Sequence, residues 1–254
     1  MKMQGIFRLL FLLCLSATLF AKAPQTDWEF YQKSGNKAAK WDSLVEAGFQ
    51  AFDGENFSVS SRFLERATLL GCGDGLVIYK LAKLTQLQGN YKRGLELLKS
   101  AASPLQKNYP EHPATLGLSE QIGGIYFQTG QYDDALTYYL AALQANGDNF
   151  LRNFLVGQIY RMKGEKETAI SYFEKSLGYP PPEGSPKNMK IAAKVELLQL
   201  YSAAQQWDNA SKMAEEILAE DPGNSIAQST KANLEKRQIK DKEKKEWEKV
   251  LEKY

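Results

Sequence analysis

The chain has 254 residues, 43% of them hydrophobic and 24% charged, an ordinary make-up for a soluble globular protein. Its 32 Lys and Arg nearly balance 30 Asp and Glu, for a formal net charge of +2, which gives no basic footprint for nucleic acid. Two cysteines and one histidine exclude cysteine-rich and multi-histidine metal sites.

Residues 1–21 stand apart from the rest. Lys2 and Arg8 precede an apolar run from Leu9 to Leu15, and small residues follow up to Ala21 and Ala23. This order describes a secretory signal peptide, with an apolar run shorter than the roughly 20 residues of a membrane span. Cleavage is expected after Ala21, because cleavage after Ala23 would leave Pro24 at the new N-terminus. An uncleaved membrane anchor is the competing reading. Removal of residues 1–21 takes Cys14 away and leaves Cys72 as the only thiol, so no disulfide framework can form within one mature chain. Residues 22–40 contain Trp28, Phe30 and Tyr31 and are expected to include a short helix packed on the first repeat beyond residue 40.

From residue 41 a rhythm begins. Gly123 and Gly157, Tyr126 and Tyr160, and Ala135 and Ala169 are each 34 residues apart. The frame extends both ways, with small residues at Gly48, Ala82, Gly123 and Gly157, and again at Ser60, Gly94, Ala135, Ala169 and Ala210. Successive units are separated by 34, 41, 34 and 41 residues, the extra length falling around Tyr109–Pro113 and Pro180–Pro186. Each unit reads as a hairpin of two helices, A and B. A glycine inside a helix costs about 1 kcal/mol relative to alanine, and close approach of A to B supplies the compensating reason. Gly89, Gly130 and Gly164 fall at the A–B turns, where a positive φ is wanted. Tyr91, Tyr132 and Trp207 then open the B helices.

The pattern resembles the tetratricopeptide repeat family over residues 41–224. The resemblance implies an all-α, right-handed superhelical solenoid of about five helix hairpins, with residues 225–254 as a long C-terminal capping helix. It also implies that the A helices line a concave groove. Carried onto this sequence, the groove positions include Phe49, Phe52, Tyr79, Lys83, Phe127, Phe154 and Arg161 as candidate partner-binding residues. Packing between adjacent A helices is the competing reading for each aromatic. The Lys and Asn pair with which some family members grip a C-terminal carboxylate is missing; Tyr79/Lys83 and Phe154/Gln158 stand at two of its positions.

The stretch Gly71-Cys72-Gly73-Asp74-Gly75 looks at first like a phosphate cradle. In the repeat frame it is a B-to-A junction, with Asp74 placed to cap the next helix. His112, between Pro110 and Pro113, is expected to shape a turn or start a helix. Asp133 and Asp134 lie in the first turn of a B helix, where acids favour the helix dipole. No Walker loop, G-x-S-x-G elbow or H-E-x-x-H occurs. Lys236–Glu246 has Ile239 as its only large apolar residue and is expected to be solvated on nearly every side. Trp247, Val250, Leu251 and Tyr254 then return at helical spacing; a partner contact, a folded-back tail and a frayed end all fit.

The expected function is an exported, periplasmic, non-enzymatic scaffold that binds a protein or peptide partner in its groove, with cell-envelope assembly as a candidate setting. It needs no metal, cofactor or nucleic acid, and touches membrane only if residues 1–21 stay attached. The alternatives are a membrane-tethered organiser and a redox accessory protein acting through Cys72.

Overall fold

The computed structural model describes residues 26–186 and 188–252; residues 1–21, read above as an expected signal peptide, and Tyr254 lie outside them. Among the described residues all regular structure is helical, and no helix is long and apolar enough to cross a membrane. The chain divides into two compact units, one ending at Gly147 and the other beginning at Asp148.

The first unit opens with α1 (Asp27–Lys33). Its start is a capping box: the Thr26 hydroxyl accepts from the Glu29 N–H while the Glu29 carboxylate accepts from the Thr26 N–H, so two otherwise orphaned donors are satisfied. Three hairpins come next: α2 (Asp42–Asp53) with α3 (Phe57–Leu69), α4 (Gly75–Leu87) with α5 (Tyr91–Asn108), and α7 (Leu118–Gln128) with α8 (Tyr132–Asn146). The short α6 (Pro113–Leu116) fills the insert before the third hairpin. The second unit holds α9 (Phe150–Lys163) with α10 (Lys166–Leu177), α11 (Met189–Ala203) with α12 (Trp207–Glu220), and the long α13 (Ser225–Leu251).

The small residues do what their spacing predicts. A Cβ built on Gly123 would come within 3.1 Å of the Tyr139 ring, and one on Gly157 within 3.1 Å of the Phe173 ring. In both hairpins an aromatic of helix B lies against the bare backbone of helix A, an approach close enough that an added methyl would crowd the ring. Opposite them Ala135 and Ala169 are fully buried. In the first hairpin the Ser60 hydroxyl turns its polarity inward, donating to the Gly48 carbonyl at 2.8 Å.

All five A–B turns close with the same backbone bond. The N–H groups of Asn56, Asn90, Gln131, Glu165 and Gln206 donate to the carbonyls of Ala51, Thr85, Tyr126, Tyr160 and Tyr201 at 2.8–3.0 Å. This is the six-residue closure of a left-handed helix end. Gly89, Gly130 and Gly164 take φ of +82°, +77° and +83° there. In the first and fifth hairpins the same place is held by Glu55 and Gln205, at φ 58° and 57°.

Candidate functional site

The junction at Gly71–Gly75 is built around Asp74, which is fully buried. One carboxylate oxygen caps α4, accepting from the N–H groups of Leu76 at 2.9 Å and Val77 at 3.4 Å. The other accepts from Ser34 Oγ at 3.3 Å, Asn36 Nδ2 at 3.0 Å and the Tyr109 hydroxyl. A Cβ on Gly75 would stand 2.6 Å from the backbone nitrogen of Leu105, so this glycine lets α4 begin against the backbone of α5. Nothing about the loop is a phosphate cradle; its carboxylate and its glycine serve packing. Cys72 is 3% exposed, and burial pushes its thiol up to about 11. A redox thiol needs access and a lowered pKa, so the redox alternative is corrected: Cys72 is a core residue.

The richest side-chain cluster in the first unit joins α1, α2, α4 and the α5–α6 insert. Lys80 is 4% exposed, and its ammonium lies 2.7 Å from Asp27 Oδ2 and 3.5 Å from Asp53 Oδ1. The same ammonium stands 3.9 Å from the centroid of the Phe52 ring, within cation–π range. Asp27 meets His112 Nε2 through its second oxygen at 3.0 Å. His112 caps α6 as expected, with Nδ1 accepting from the Ala114 N–H at 3.0 Å. That acceptor role places the proton of a neutral ring on Nε2, facing Asp27. Burial would raise the Asp27 pKa; the His112 hydrogen bond and the Lys80 charge outweigh it and hold the carboxyl well below the usual carboxylate range. Phe30 meets the His112 ring edge-on at 4.6 Å.

Beside this staple lies the part of the expected groove that survives as surface. Phe52, Tyr79 and Lys83 are half-buried, and Lys83 Nζ sits 5.6 Å from the Phe52 ring and 5.7 Å from the Tyr79 ring. Burial, together with the neighbouring Lys80 charge, pushes the Lys83 ammonium down to about 8. Phe127, on α7, is half-buried and packs against Tyr132 at 5.8 Å.

Two of the remaining candidates, Phe49 and Phe154, are corrected to core residues, and Arg161 is ion-paired. Phe49 is 1% exposed and packs edge-on against Tyr31 at 6.2 Å, so it belongs to the core of the first unit. In the second unit Phe154 is 2% exposed and lies between Phe150 and Phe173 at 5.9 and 5.4 Å. Arg161 is half-buried, and its Nε lies 3.1 Å from Glu196 on α11, an ion pair that ties the two hairpins of that unit together. Lys80, Asp27 and Asp53 were missed. The one signal for Lys80 was a lysine set among Leu76, Val77, Leu81 and Leu84, on a helix too apolar to leave it a solvated side. Among the described residues no group of three or more His, Cys, Asp or Glu side chains could hold a metal ion.

Comparison with known proteins agrees with this architecture. The family described as "Tetratricopeptide repeat protein 21 forth ARM domain" matches residues 118–253, and a tetratricopeptide repeat family matches residues 76–146. The chain belongs to the tetratricopeptide repeat family. It is 26% identical over 147 residues to the bovine (Bos taurus) BBSome complex member BBS4, covering 57% of this chain and 25% of that protein. It is 24% identical over 107 residues to the human protein O-mannosyl-transferase TMTC2, covering 42% of this chain and 12% of that protein. The chain therefore spans a quarter or less of these curated relatives. Among solved structures, MamA 41-end from Desulfovibrio magneticus RS-1 aligns with a TM-score of 0.60 at 16% identity, over 74% of this chain and 98% of that one. A repeat-containing protein from Cytophaga hutchinsonii gives 0.63 at 19%, over 78% and 72%. YrrB, described as a TPR protein with an unusual peptide-binding site, gives 0.60 at 15%, over 83% and 100%. These likenesses show the fold.

Proposed function

We propose that this chain is an exported, non-enzymatic scaffold that holds a segment of a partner protein on the A-helix face of its first unit. The observation that carries the reading is the Phe52, Tyr79 and Lys83 cluster, two half-buried rings flanking an ammonium. Partly exposed aromatic rings anchor partner segments with little loss of side-chain freedom, and the cation favours an acidic residue beside them. Membership of a repeat family supports a binding role, as do the peptide-binding site named for YrrB and the complex membership named for BBS4. The basic and apolar order of residues 1–21 supports export to a periplasm, and envelope assembly is the setting proposed for it.

The test is recovery of partners from envelope extracts by the wild-type chain and by two variants. Phe52→Ala/Tyr79→Ala/Phe127→Ala removes the rings, while Lys83→Glu reverses the charge with the rings kept. Both are expected to lose the partner, and a thermal melt separates that loss from unfolding. Unchanged recovery by folded variants would sink the groove reading. Sequencing the N-terminus of the mature protein decides export separately: Lys22 is expected first, and a retained Met1 would mean an anchor.

A further inference from the structure

Helix α13 changes character partway along. Its first turns are held by the second unit: Ala227 and Leu234 are buried, and the Arg237 guanidinium lies 4.1 Å from the centroid of the Trp207 ring. From residue 238 to residue 252 every side chain is exposed. An isolated helix of that length is marginal in water. The i,i+4 pairs Arg237–Asp241 and Lys244–Glu248, both at 3.8 Å, add only about 0.3–0.5 kcal/mol each.

This exposed stretch nevertheless carries Ile239, Trp247, Val250 and Leu251, with Trp247 68% and Leu251 71% exposed. At about 100° per residue, these four centre on the side opposite Leu234. They therefore do not extend the stripe that caps the unit; they form a second face turned away from it. Charge is divided along the same stretch. Residues 236–245 hold six basic and two acidic residues, while 246–252 hold three acidic and one basic, alongside three of the four apolar side chains.

We infer that the occupant of this face is a second copy of the chain, with the two α13 helices lying antiparallel. That arrangement sets each acidic, apolar tip on the basic stretch and Ile239 of the other copy, and a two-fold axis makes both contacts at once. A parallel pair would set like charge on like. An anionic membrane is a poorer occupant, because Glu246 and Glu248 flank Trp247 and repel a negative surface from the ring that would enter it.

Sedimentation equilibrium on the full chain tests this, from about 1 to 100 μM, a range that spans micromolar dissociation constants. The expected result is a concentration-dependent doubling of mass, weakened several-fold at about 0.5 M salt, where exposed charges are screened. Trp247→Glu/Leu251→Glu is expected to stay monomeric with an unchanged melt, since neither side chain touches the unit. In a Cys14→Ser background, Lys240→Cys and Val250→Cys preparations, both substitutions lying on the apolar face, are expected to cross-link to each other when mixed; Cys72 is buried and does not compete. A monomeric wild type, a dimer that survives in the tip variant, or cross-links joining 250 to 250 would each overturn the proposal. So would a monomer that floats with phosphatidylglycerol vesicles through α13.

Discussion

Asp74 shows how much one buried carboxylate can hold. It caps α4 and collects donors from Ser34, Asn36 and Tyr109, so its loss orphans an N-terminal cap and at least one buried hydroxyl. A cap contributes about 1 kcal/mol and a buried donor left unpaired costs about 1–3 kcal/mol. Asp74→Ala is therefore expected to cost about 3 kcal/mol, read as a lower urea midpoint at unchanged slope. Lys83 gives a prediction in pH. Its ammonium titrates near 8 in the folded chain against about 10.4 unfolded, so between those values the unfolded state binds the extra proton. Stability from this group must rise as pH rises through that window. Lys83→Met should abolish that rise, which urea titrations at pH 7.5 and 9.5 would measure. Asp27 behaves oppositely. Its depressed folded pKa means its contribution is intact above about 3.9, the ordinary Asp value, and is lost progressively as the pH falls from there toward the lower folded value. Asp27→Asn is expected to remove that acid-range loss.

The helices and turns were the most legible level, because their cause is local. A 34-residue repetition of small and aromatic residues specifies which side of A meets which side of B, and Gly123 against Tyr139 and Gly157 against Phe173 carry it out. The turns were legible where glycine marked them and silent at Glu55 and Gln205. A side chain in the left-handed region costs about 1–2 kcal/mol, and both residues are exposed. Glu55→Gly and Gln205→Gly are thus each expected to stabilise by up to about 1 kcal/mol, the strain relieved being partly offset by glycine's greater chain entropy; thermal denaturation reads the gain. At Gly75 the expected sign is reversed. There an added Cβ meets backbone at 2.6 Å, so Gly75→Ala must push α4 off α5 and should cost well over 1 kcal/mol.

At the scale of the whole molecule, the all-α repeat architecture was readable and the depth of each residue was not. A repeat position says which way a side chain points, and neighbours decide how far it is covered. Phe49 and Phe52 lie three residues apart on α2, yet Tyr31 from α1 covers the first and leaves the second half-exposed. The charged staple of Lys80, Asp27 and His112 was illegible for a related reason: its members are 85 residues apart at the extremes, and no local pattern couples them.

That reach along the chain has a consequence for synthesis. The carboxylate of Asp74 belongs to the first B-to-A junction, but one of its donors, Tyr109, comes after the entire second hairpin. While the chain is emerging from the ribosome, the first junction can draw on Ser34 and Asn36 and must wait for Tyr109 before its buried charge is fully satisfied. The first two hairpins are therefore translated one after the other but completed together, and a nascent chain stopped before Tyr109 should still be cut by protease where the longer one resists.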